Sequence, residues 1–231
     1  MSGDPVRIWL IDAAQPDAVV AELAGLLDDE ERARAGAIRR DADRRRFTVA
    51  HGALRVIVGD HLGVPAAGLR WRRGPHGKPE LDGRTGVQVN LSHSGDLNAV
   101  AVTPRRAVGL DVQRLMPAAA AVALAGRYFP AAEAGFVAAG RDAGERAYRF
   151  ARLWARKEAC VKASGGTLAR GLPLPVGPVA AELGGAVVGT ADGPLPGPFR
   201  VTDLDAGPGF CGSVALAGDA PYEVKQAWWR P

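Results

Sequence analysis

The chain has 231 residues, of which 23% are charged and 47% hydrophobic, a composition typical of a soluble globular protein with one large domain or two small ones. The net charge of +4 is modest, but seven arginines crowd between Arg32 and Arg46, which favours a phosphate-bearing ligand or an acidic partner. The two cysteines, Cys160 and Cys211, lie far apart, so neither a disulfide framework nor a zinc site is expected. Without a signal-peptide pattern or an apolar run of bilayer length, the chain is expected to be cytoplasmic and to have no membrane partner.

The first part of the chain predicts one strand followed by three helices. The apolar run from Val6 to Ile11 predicts the strand, and two helices are expected from Ala18 to Leu27 and from Asp28 to Arg40. The third helix has an apolar face that continues to Leu62, and Asp43 is its candidate N-cap.

Three arginines, Arg44, Arg45 and Arg46, fall in the first turn of this third helix. The positive end of the helix dipole disfavours cations there, and a bound anion would offset that cost. For Arg44 and Arg45 we expect the simpler arrangement, in which the side chains point into water.

A loop and three strands come next, and the last strand carries an unusual carboxylate. The segment from Trp71 to Pro79 has the glycine and proline content of a sharply turning loop. Three strands are then predicted, from Val87 to Leu91, from Leu97 to Val102 and from Ala107 to Val112. Ser92 and His93 are expected at the hairpin tip between the first two. Asp111 lies within the third strand, where a buried carboxylate needs a cation or hydrogen-bond donors to offset its desolvation.

The second half of the chain repeats this outline. Helices are predicted from Ala118 to Tyr128, after Pro130 and from Arg146 to Ala163, and strands near 186–188, 199–204 and 211–217. Helices followed by a sheet, twice, predict an α+β fold with two pseudo-symmetric halves, each with helices packed on an antiparallel sheet. We assign residues 1–112 and 113–231 to the halves, although their sequence similarity is too weak to prove a duplication. Trp228 and Trp229 are expected to pack or to form a tail.

The last helix of the second half places an acid and a base on its apolar face. Glu158 follows Trp154 by four residues and Lys162 follows Glu158 by four, so the three side chains lie along one side of the helix. The two charged residues could form a solvated ion pair at the edge of this face. Alternatively, they could look into a cleft and hold a metal and a phosphate. The helix by itself leaves both interpretations open.

Four motifs, in order, resemble those of the 4′-phosphopantetheinyl transferases. Residues 108–111 (VGLD) and 154–162 (WARKEACVK) resemble the signature pair of that family. Residues 77–79 (GKP) and 90–95 (NLSHSG) are similar to its larger, surfactin-synthetase-activating (Sfp) type. The resemblance implies two α+β halves with coenzyme A in the cleft between them. It also implies transfer of 4′-phosphopantetheine from coenzyme A to a serine of an apo carrier protein, leaving 3′,5′-ADP.

The resemblance further implies how the reaction is catalysed. Mg²⁺, or Mn²⁺, is expected to bind Asp111 and Glu158, because these hard ions prefer oxygen ligands. Glu158 is also the implied general base, and Lys162 is expected to stabilise the leaving phosphate or protonate its bridging oxygen. The family commonly has glutamate two residues after the aspartate, whereas this chain has Gln113, which is a weaker metal ligand.

Coenzyme A contacts are implied for seven side chains, namely Arg34, Arg46, Lys78, Pro79, Ser92, His93 and Lys162. Arg34 and Arg46 match positions used for the 3′-phosphate and adenine, and a guanidinium can bind phosphate through two parallel hydrogen bonds. His93 is expected to form a charge-assisted hydrogen bond to a phosphate. His51 and His61 match nothing in the family pattern and are expected to pack or to be solvated.

The partners follow from the same resemblance. Single-chain, two-half members suggest a monomer that serves carrier proteins of polyketide or nonribosomal peptide synthesis, with the fatty-acid carrier protein as the alternative, and no nucleic acid. A rival hypothesis is a non-catalytic protein that binds nucleotides or nucleic acid through the Arg32–Arg46 cluster. Nucleic-acid binding of that kind would weaken steeply with salt and would survive the loss of Asp111 or Glu158.

Overall fold

The computed structural model describes residues 5–74, 79–83, 86–177, 186–189 and 192–231. Its helices are α1 (Asp17–Leu26), α2 (Asp29–Ala37), α3 (Asp41–Leu62), α4 (Ala118–Tyr128), α5 (Ala131–Ala138), α6 (Ala143–Ser164) and α7 (Leu168–Gly171). Its strands are β1 (Val6–Asp12), β2 (Trp71–Arg73), β3 (Pro79–Leu81), β4 (Gln88–Ser94), β5 (Leu97–Thr103), β6 (Val108–Arg114), β7 (Ala186–Val188), β8 (Phe199–Leu204), β9 (Phe210–Ala217) and β10 (Val224–Trp228). Helices and mainly antiparallel strands confirm the predicted α+β class. No described helix is both long and apolar enough to cross a membrane.

Two four-stranded sheets form the frame of the molecule. The first sheet has the order β10-β1-β5-β4 and the second has the order β6-β9-β8-β7, while β2 and β3 pair separately. In each half a first strand is followed by three helices, and later strands return beside the first one. This is the repeated outline that the sequence predicts.

The longest helices of the two halves, α3 and α6, have the same length and the same kind of ending. Each has 22 residues, and each is followed by a glycine in the left-handed region, Gly63 at φ 67° and Gly165 at φ 66°. Glycine adopts this conformation without the steric cost that other residues incur, so both helices end where the chain offers one.

Three apolar layers hold the elements together. Helices α1 and α3 pack on one face of the first sheet, where Leu54 and Val100 are buried. Helices α4, α5 and α6 cover the second sheet around Phe150. Between the two sheets lies a third layer that includes Ile8 and Leu110. The two halves therefore share a buried core, and polar groups gather at one side of it, between β4, β6 and α6.

Two local predictions in the first half are wrong. Helix α3 begins at Asp41 after Arg40, without a capping side chain, so Asp43 is not its N-cap and instead pairs with Arg46. Strand β4 continues to Ser94, so Ser92 and His93 lie on the strand and not at the hairpin tip. Both errors are three-residue shifts of an element boundary, which sequence patterns locate poorly.

The C-terminal strand β10 has no counterpart in the sequence-based prediction. It pairs in parallel with β1, with Val6 opposite Val224, so Trp228 belongs to a strand and the first sheet is not purely antiparallel. The boundary assigned between residues 112 and 113 falls inside β6, and β10 returns to the first sheet. Pairing between strands so distant in sequence leaves no local pattern that could have predicted it.

Candidate active site

Asp111 is a buried carboxylate in the middle of β6. It is 6% exposed, and its Oδ1 accepts hydrogen bonds from Lys162 Nζ at 2.7 Å and from Ser92 Oγ at 2.9 Å. Its Oδ2 is buried and has no hydrogen-bond partner among the described residues. Burial raises the pKa of Asp111, while the charge of Lys162 and the hydrogen bonds from Lys162 and Ser92 oppose the rise. The sequence correctly indicated that this carboxylate would need a cation and donors.

Lys162 reaches Asp111 because α6 lies very close to β6. A Cβ atom added at Gly109 would lie 1.9 Å from the carbonyl oxygen of Ala159, so glycine is required for this approach. The Lys162 ammonium also donates to Ser92 Oγ at 3.0 Å and to the Leu110 carbonyl at 3.1 Å. Together with Asp111, these acceptors match the three N–H donors of an ammonium.

Glu158 lies one helical turn before Lys162 and is half-buried. Burial and the negative charge of Asp111 raise the pKa of Glu158, whereas the charge of Lys162 lowers it. Glu158 is therefore close enough to both residues to respond to their charges. The structure thus brings the three predicted catalytic residues together where α6 packs on β6.

The oxygen donors at this cluster fit a hard divalent cation. Asp111 Oδ2 is a buried oxygen that no described residue hydrogen-bonds, and Glu158 adds a second carboxylate, a ligand type that Mg²⁺ prefers. Gln113 lies on the same face of β6 as Asp111, and its Nε2 donates to the Arg114 carbonyl at 2.8 Å. Within the described ranges no group of three His, Cys, Asp or Glu side chains could hold a metal. Further ligands would therefore come from Gln113, water or a bound phosphate.

A pocket of about 290 Å³ lies beside this cluster, and its walls come from α2, α3, β2, β3 and β4. Three of the predicted coenzyme contacts, Arg34, Pro79 and His93, line it. Lys78 lies outside the described residues. The pocket is thus bordered by two of the four motifs that carried the resemblance.

His93 connects the pocket with the carboxylate cluster. Its side chain is exposed and lines the pocket. Partial desolvation of the ring by the surrounding protein, followed by the charges of Lys162 and His51, lowers the pKa of His93, and Asp111 opposes the change. One imidazole is therefore within electrostatic range of both the pocket and the cluster.

An aromatic stack that the sequence analysis missed forms the wall of the pocket next to α3. The Arg34 guanidinium lies over the Phe47 ring at 5.0 Å, and Phe47 stacks on His51 with centroids 4.0 Å apart. His51 Nδ1 is 3.1 Å from Glu31 Oε1. His51 therefore lines the pocket in an oriented position, and its spacing of four residues from Phe47 was the available signal.

Three of the predicted coenzyme contacts that the structure describes, Ser92, Arg46 and Lys162, do not line this pocket. Ser92 is 3% exposed, and its hydroxyl bonds to Asp111 and Lys162 instead. Arg46 forms ion pairs with Asp96 at 2.7 Å and with Asp43 at 2.8 Å. A phosphate that binds Arg46 would have to compete with these carboxylates.

The arginine cluster is largely neutralised by neighbouring carboxylates. Besides Arg46, the pairs are Arg32–Asp29, Arg44–Asp41 and Arg45–Asp17. The expectation that Arg44 and Arg45 simply point into water is therefore wrong. The acidic residues at the starts of α1, α2 and α3 offset the charges, which reduces the positive field that the rival nucleic-acid hypothesis needs.

Comparisons with known proteins agree with this geometry. Residues 107–185, which include Asp111, Glu158 and Lys162, match the 4′-phosphopantetheinyl transferase superfamily. The chain is 36% identical over 170 residues to the 4′-phosphopantetheinyl transferase HetI of Nostoc, covering 72% of this chain and 71% of that protein. It is 31% identical over 168 residues to a putative 4′-phosphopantetheinyl transferase of Synechocystis, covering 72% and 67%.

A third relative covers nearly all of the chain. The chain is 30% identical over 248 aligned positions to a phosphopantetheinyl transferase of Thraustochytrium, covering 97% of this chain and 84% of that protein. The similarity is therefore not limited to the segment around the carboxylate cluster. The chain belongs to the 4′-phosphopantetheinyl transferase family.

Proposed function

We propose that the protein transfers the 4′-phosphopantetheine group of coenzyme A to a serine of an apo carrier protein and releases 3′,5′-ADP. The observation that carries this proposal is the convergence of Asp111, Glu158 and Lys162 from two distant elements beside a pocket. Family membership supports the same activity. The carriers we propose belong to polyketide or nonribosomal peptide synthesis, and the fatty-acid carrier protein is the alternative.

The chemistry requires that a hydroxyl attack the β-phosphorus of coenzyme A. A bond forms between the serine oxygen and phosphorus, and the bond from phosphorus to the bridging oxygen breaks with its electron pair. We assign the serine proton to Glu158, because a carboxylate with a raised pKa holds a proton more readily at neutral pH. 3′,5′-ADP leaves with the bridging oxygen.

Asp111 and Glu158, with Gln113 as a weaker third ligand, would hold Mg²⁺ or Mn²⁺. When bound, the ion would neutralise charge on the diphosphate oxygens. Lys162 contributes beside it by holding the Asp111 carboxylate through a charge-assisted hydrogen bond of 2.7 Å. The Lys162 ammonium donates to Asp111, Ser92 and the Leu110 carbonyl. A role of Lys162 at the leaving phosphate would require it to exchange one of these three acceptors for a phosphate oxygen.

We assign the nucleotide part of coenzyme A to the pocket next to β4. Arg34 would supply positive charge and hydrogen-bond donors for phosphate, and the His93 ring would supply a further donor. The Phe47–His51 stack supports placing the adenine near this wall, because planar rings favour stacked or offset contacts. Arg46 and Lys78 stay candidates for the 3′-phosphate, and Ser92 would act through Asp111.

The remaining parts of the proposal concern the setting of the reaction. We propose a cytoplasmic monomer that acts without nucleic acid or membrane. The rival nucleic-acid hypothesis depends on arginines that carry carboxylate partners here, and no observation favours it over the transferase.

The deciding experiment is intact-mass spectrometry of a panel of apo carrier proteins after incubation with the protein, coenzyme A and Mg²⁺. The expected result is a mass increase of one phosphopantetheine group on at least one carrier, lost when the metal is chelated. The panel should contain one carrier each from polyketide, nonribosomal peptide and fatty-acid synthesis, so that the pattern also identifies the pathway. Unchanged masses across the whole panel would contradict the proposal.

A further inference from the structure

Strand β6 lies at the edge of the second sheet, and its outward-facing backbone groups need partners. β6 pairs with β9 on one side only. In a strand, alternate residues direct their N–H groups to the same edge. In β6, the edge that faces away from β9 carries the N–H groups of Leu110, Val112 and Arg114. Buried N–H groups without partners would be costly, and edge strands also invite pairing with other chains.

Side chains of β4 satisfy these N–H groups in a regular series, which we call the seam ladder. Leu110 N donates to Asn90 Oδ1 at 2.9 Å, and Val112 N donates to Ser92 Oγ at 3.2 Å. At the end of the series, the N–H of residue 114 donates to Ser94 Oγ at 3.0 Å. The face of the first sheet thus binds the edge of the second sheet through side chains instead of backbone carbonyls.

The seam ladder encloses the carboxylate cluster. Asp111 lies between two of the anchored residues, Leu110 and Val112, and the middle rung, Ser92, also donates to Asp111 Oδ1 at 2.9 Å. The Leu110 carbonyl, on the same edge, accepts from Lys162 at 3.1 Å. Any shift of β6 along or away from β4 would therefore move the Asp111 carboxylate and its ammonium partner together.

We propose that Asn90 and Ser94 are positioning residues for the transfer reaction, because the outer rungs of the seam ladder hold β6 so that Asp111 and Gln113 face the reacting phosphate. This inference rests on the proposed function for its catalytic consequence. Neither residue needs to touch the reacting atoms, since each acts through the β6 backbone. Small displacements of groups that orient a reaction lower its rate steeply, by about a hundredfold for 1 Å.

Ser94 offers the cleaner test, because it lies away from the pocket lining, whereas Asn90 contributes to it. Ser94→Ala removes the acceptor and Ser94→Thr keeps it. Thr103→Val is the matched control, since its hydroxyl is buried and has no partner among the described residues. For the other rung, Asn90→Ala is compared with Asn90→Asp, which keeps the Oδ1 acceptor.

Three measurements on these variants separate a positioning role from a structural one. Amide hydrogen exchange by NMR should show faster exchange of the Arg114 N–H in Ser94→Ala and of the Leu110 N–H in Asn90→Ala. Titration of the free protein with Mn²⁺ should show weaker binding. Turnover should fall by about tenfold in kcat, with little change in KM for coenzyme A. Ser94→Thr and Asn90→Asp should restore exchange protection, and Thr103→Val should behave as the unsubstituted protein in all three.

Each contrary outcome overturns the proposal. Unchanged amide exchange would mean that the rungs do not hold β6 in solution. Faster exchange with unchanged Mn²⁺ affinity and kcat would reduce the seam ladder to a structural contact, and a change in KM alone would make Asn90 a coenzyme contact. If no carrier is modified by the unsubstituted protein, the proposed function fails, while exchange and Mn²⁺ titration still report on the ladder.

Discussion

The two halves of the molecule share a scaffold but not a reactive site. In each half the third residue of the second helix is a glutamate, Glu31 or Glu133, and it forms a buried ion pair with the same position of the long helix. These pairs are Glu31–Arg55 and Glu133–Lys157, each at 2.6 Å. Equivalent ion pairs in helices of equal length support the duplicated outline that sequence similarity alone was too weak to prove.

The halves differ where the long helix meets the first strand. Equivalent positions in the two halves are found by counting from the start of each element. The position of Asp111 in β6 is occupied by Trp9 in β1, and the positions of Glu158 and Lys162 in α6 are occupied by Val56 and Asp60 in α3. A pocket of about 420 Å³ is lined by Trp9, Val56 and Asp60, and the C-terminal residues after β10 also border it. The edge of β1 is covered by the backbone of β10, whereas the edge of β6 is covered by side chains of β4.

This difference supports placing the proposed reaction in the second half. At a backbone-paired edge, as in β1, the N–H and C=O groups form hydrogen bonds with the backbone of the neighbouring strand. A side-chain-paired edge, as in β6, brings hydroxyls and a carboxamide next to the strand, and one of these hydroxyls orients Asp111. The scaffold that the two halves share therefore does not determine the proposed function. The charged side chains on α6 and β6 do.

The largest effect is expected from removing the carboxylate charge of Glu158 in the second half, with a carboxylate of the long helix in the first half as the control. Glu158→Gln should lower transfer by about a thousandfold, within the range expected for a lost general base, without unfolding the protein. Asp60→Asn, at the position of α3 that corresponds to Lys162, should leave transfer unchanged. Holo-carrier formation followed by mass spectrometry measures both, and equal losses would remove the functional distinction between the halves.

The two buried ion pairs should differ in how much their loss costs. Glu133→Gln should destabilise the protein by about 3–5 kcal/mol, because it leaves the fully buried Lys157 without its carboxylate. Glu31→Gln should cost less, because Arg55 keeps its pair with Asp28. Denaturant unfolding at neutral pH measures the free energies, and a larger loss for Glu31→Gln would contradict this ranking.

The cost of Glu133→Gln should also depend on pH. Burial lowers the pKa of Lys157 from its ordinary value of 10.5, and the folded variant therefore loses its proton before the unfolded chain does. Between the lowered pKa and 10.5 the unfolded state binds more protons, so stability rises with pH. Without Glu133, which raises the pKa of Lys157, the variant loses this proton at a lower pH than the unsubstituted protein. The penalty should thus shrink as pH rises toward the lowered pKa of Lys157 in the unsubstituted protein, and unfolding series on both proteins check the sign.

A smaller effect should follow from the close approach of α6 to β6. Gly109→Ala should destabilise by about 1–3 kcal/mol, since the added methyl group overlaps backbone atoms of α6, and it should weaken transfer by moving Lys162. At the corresponding position β1 has Arg7, so α3 does not pack as closely on β1 at this point as α6 packs on β6. Gly126→Ala in α4 is the control, because no atom of the described residues lies within 4 Å of the added atom. It should be neutral or stabilising.

The smallest effect concerns the cysteines, both of which lie in the second half. Burial raises the pKa of Cys160 and of Cys211 to about 12, so neither forms an appreciable amount of thiolate at pH 8. We expect no reaction of the folded protein with a thiol reagent over the time in which the unfolded chain reacts completely. Rapid labelling under native conditions would indicate that the second half opens more readily than its packing suggests.

Sequence patterns alone determined the parts of this protein that depend on local periodicity. The four-residue spacing of Trp154, Glu158 and Lys162 gave one helical face, and an apolar strand around Asp111 indicated a carboxylate in need of partners. The motif order implied the family before any geometry was known. Side-chain direction within one element follows from helix and strand repeats, which explains why these inferences held.

Only the tertiary structure decided which faces meet. It directed Ser92 to Asp111 instead of to the pocket, turned Lys157 inward to Glu133, paired Arg46 with Asp96, and joined β10 to β1. Each of these contacts links residues that are distant in the chain or depends on which face of an element its neighbour covers. A periodic pattern specifies the face a residue occupies, but the partner opposite that face is set by the packing of the whole chain.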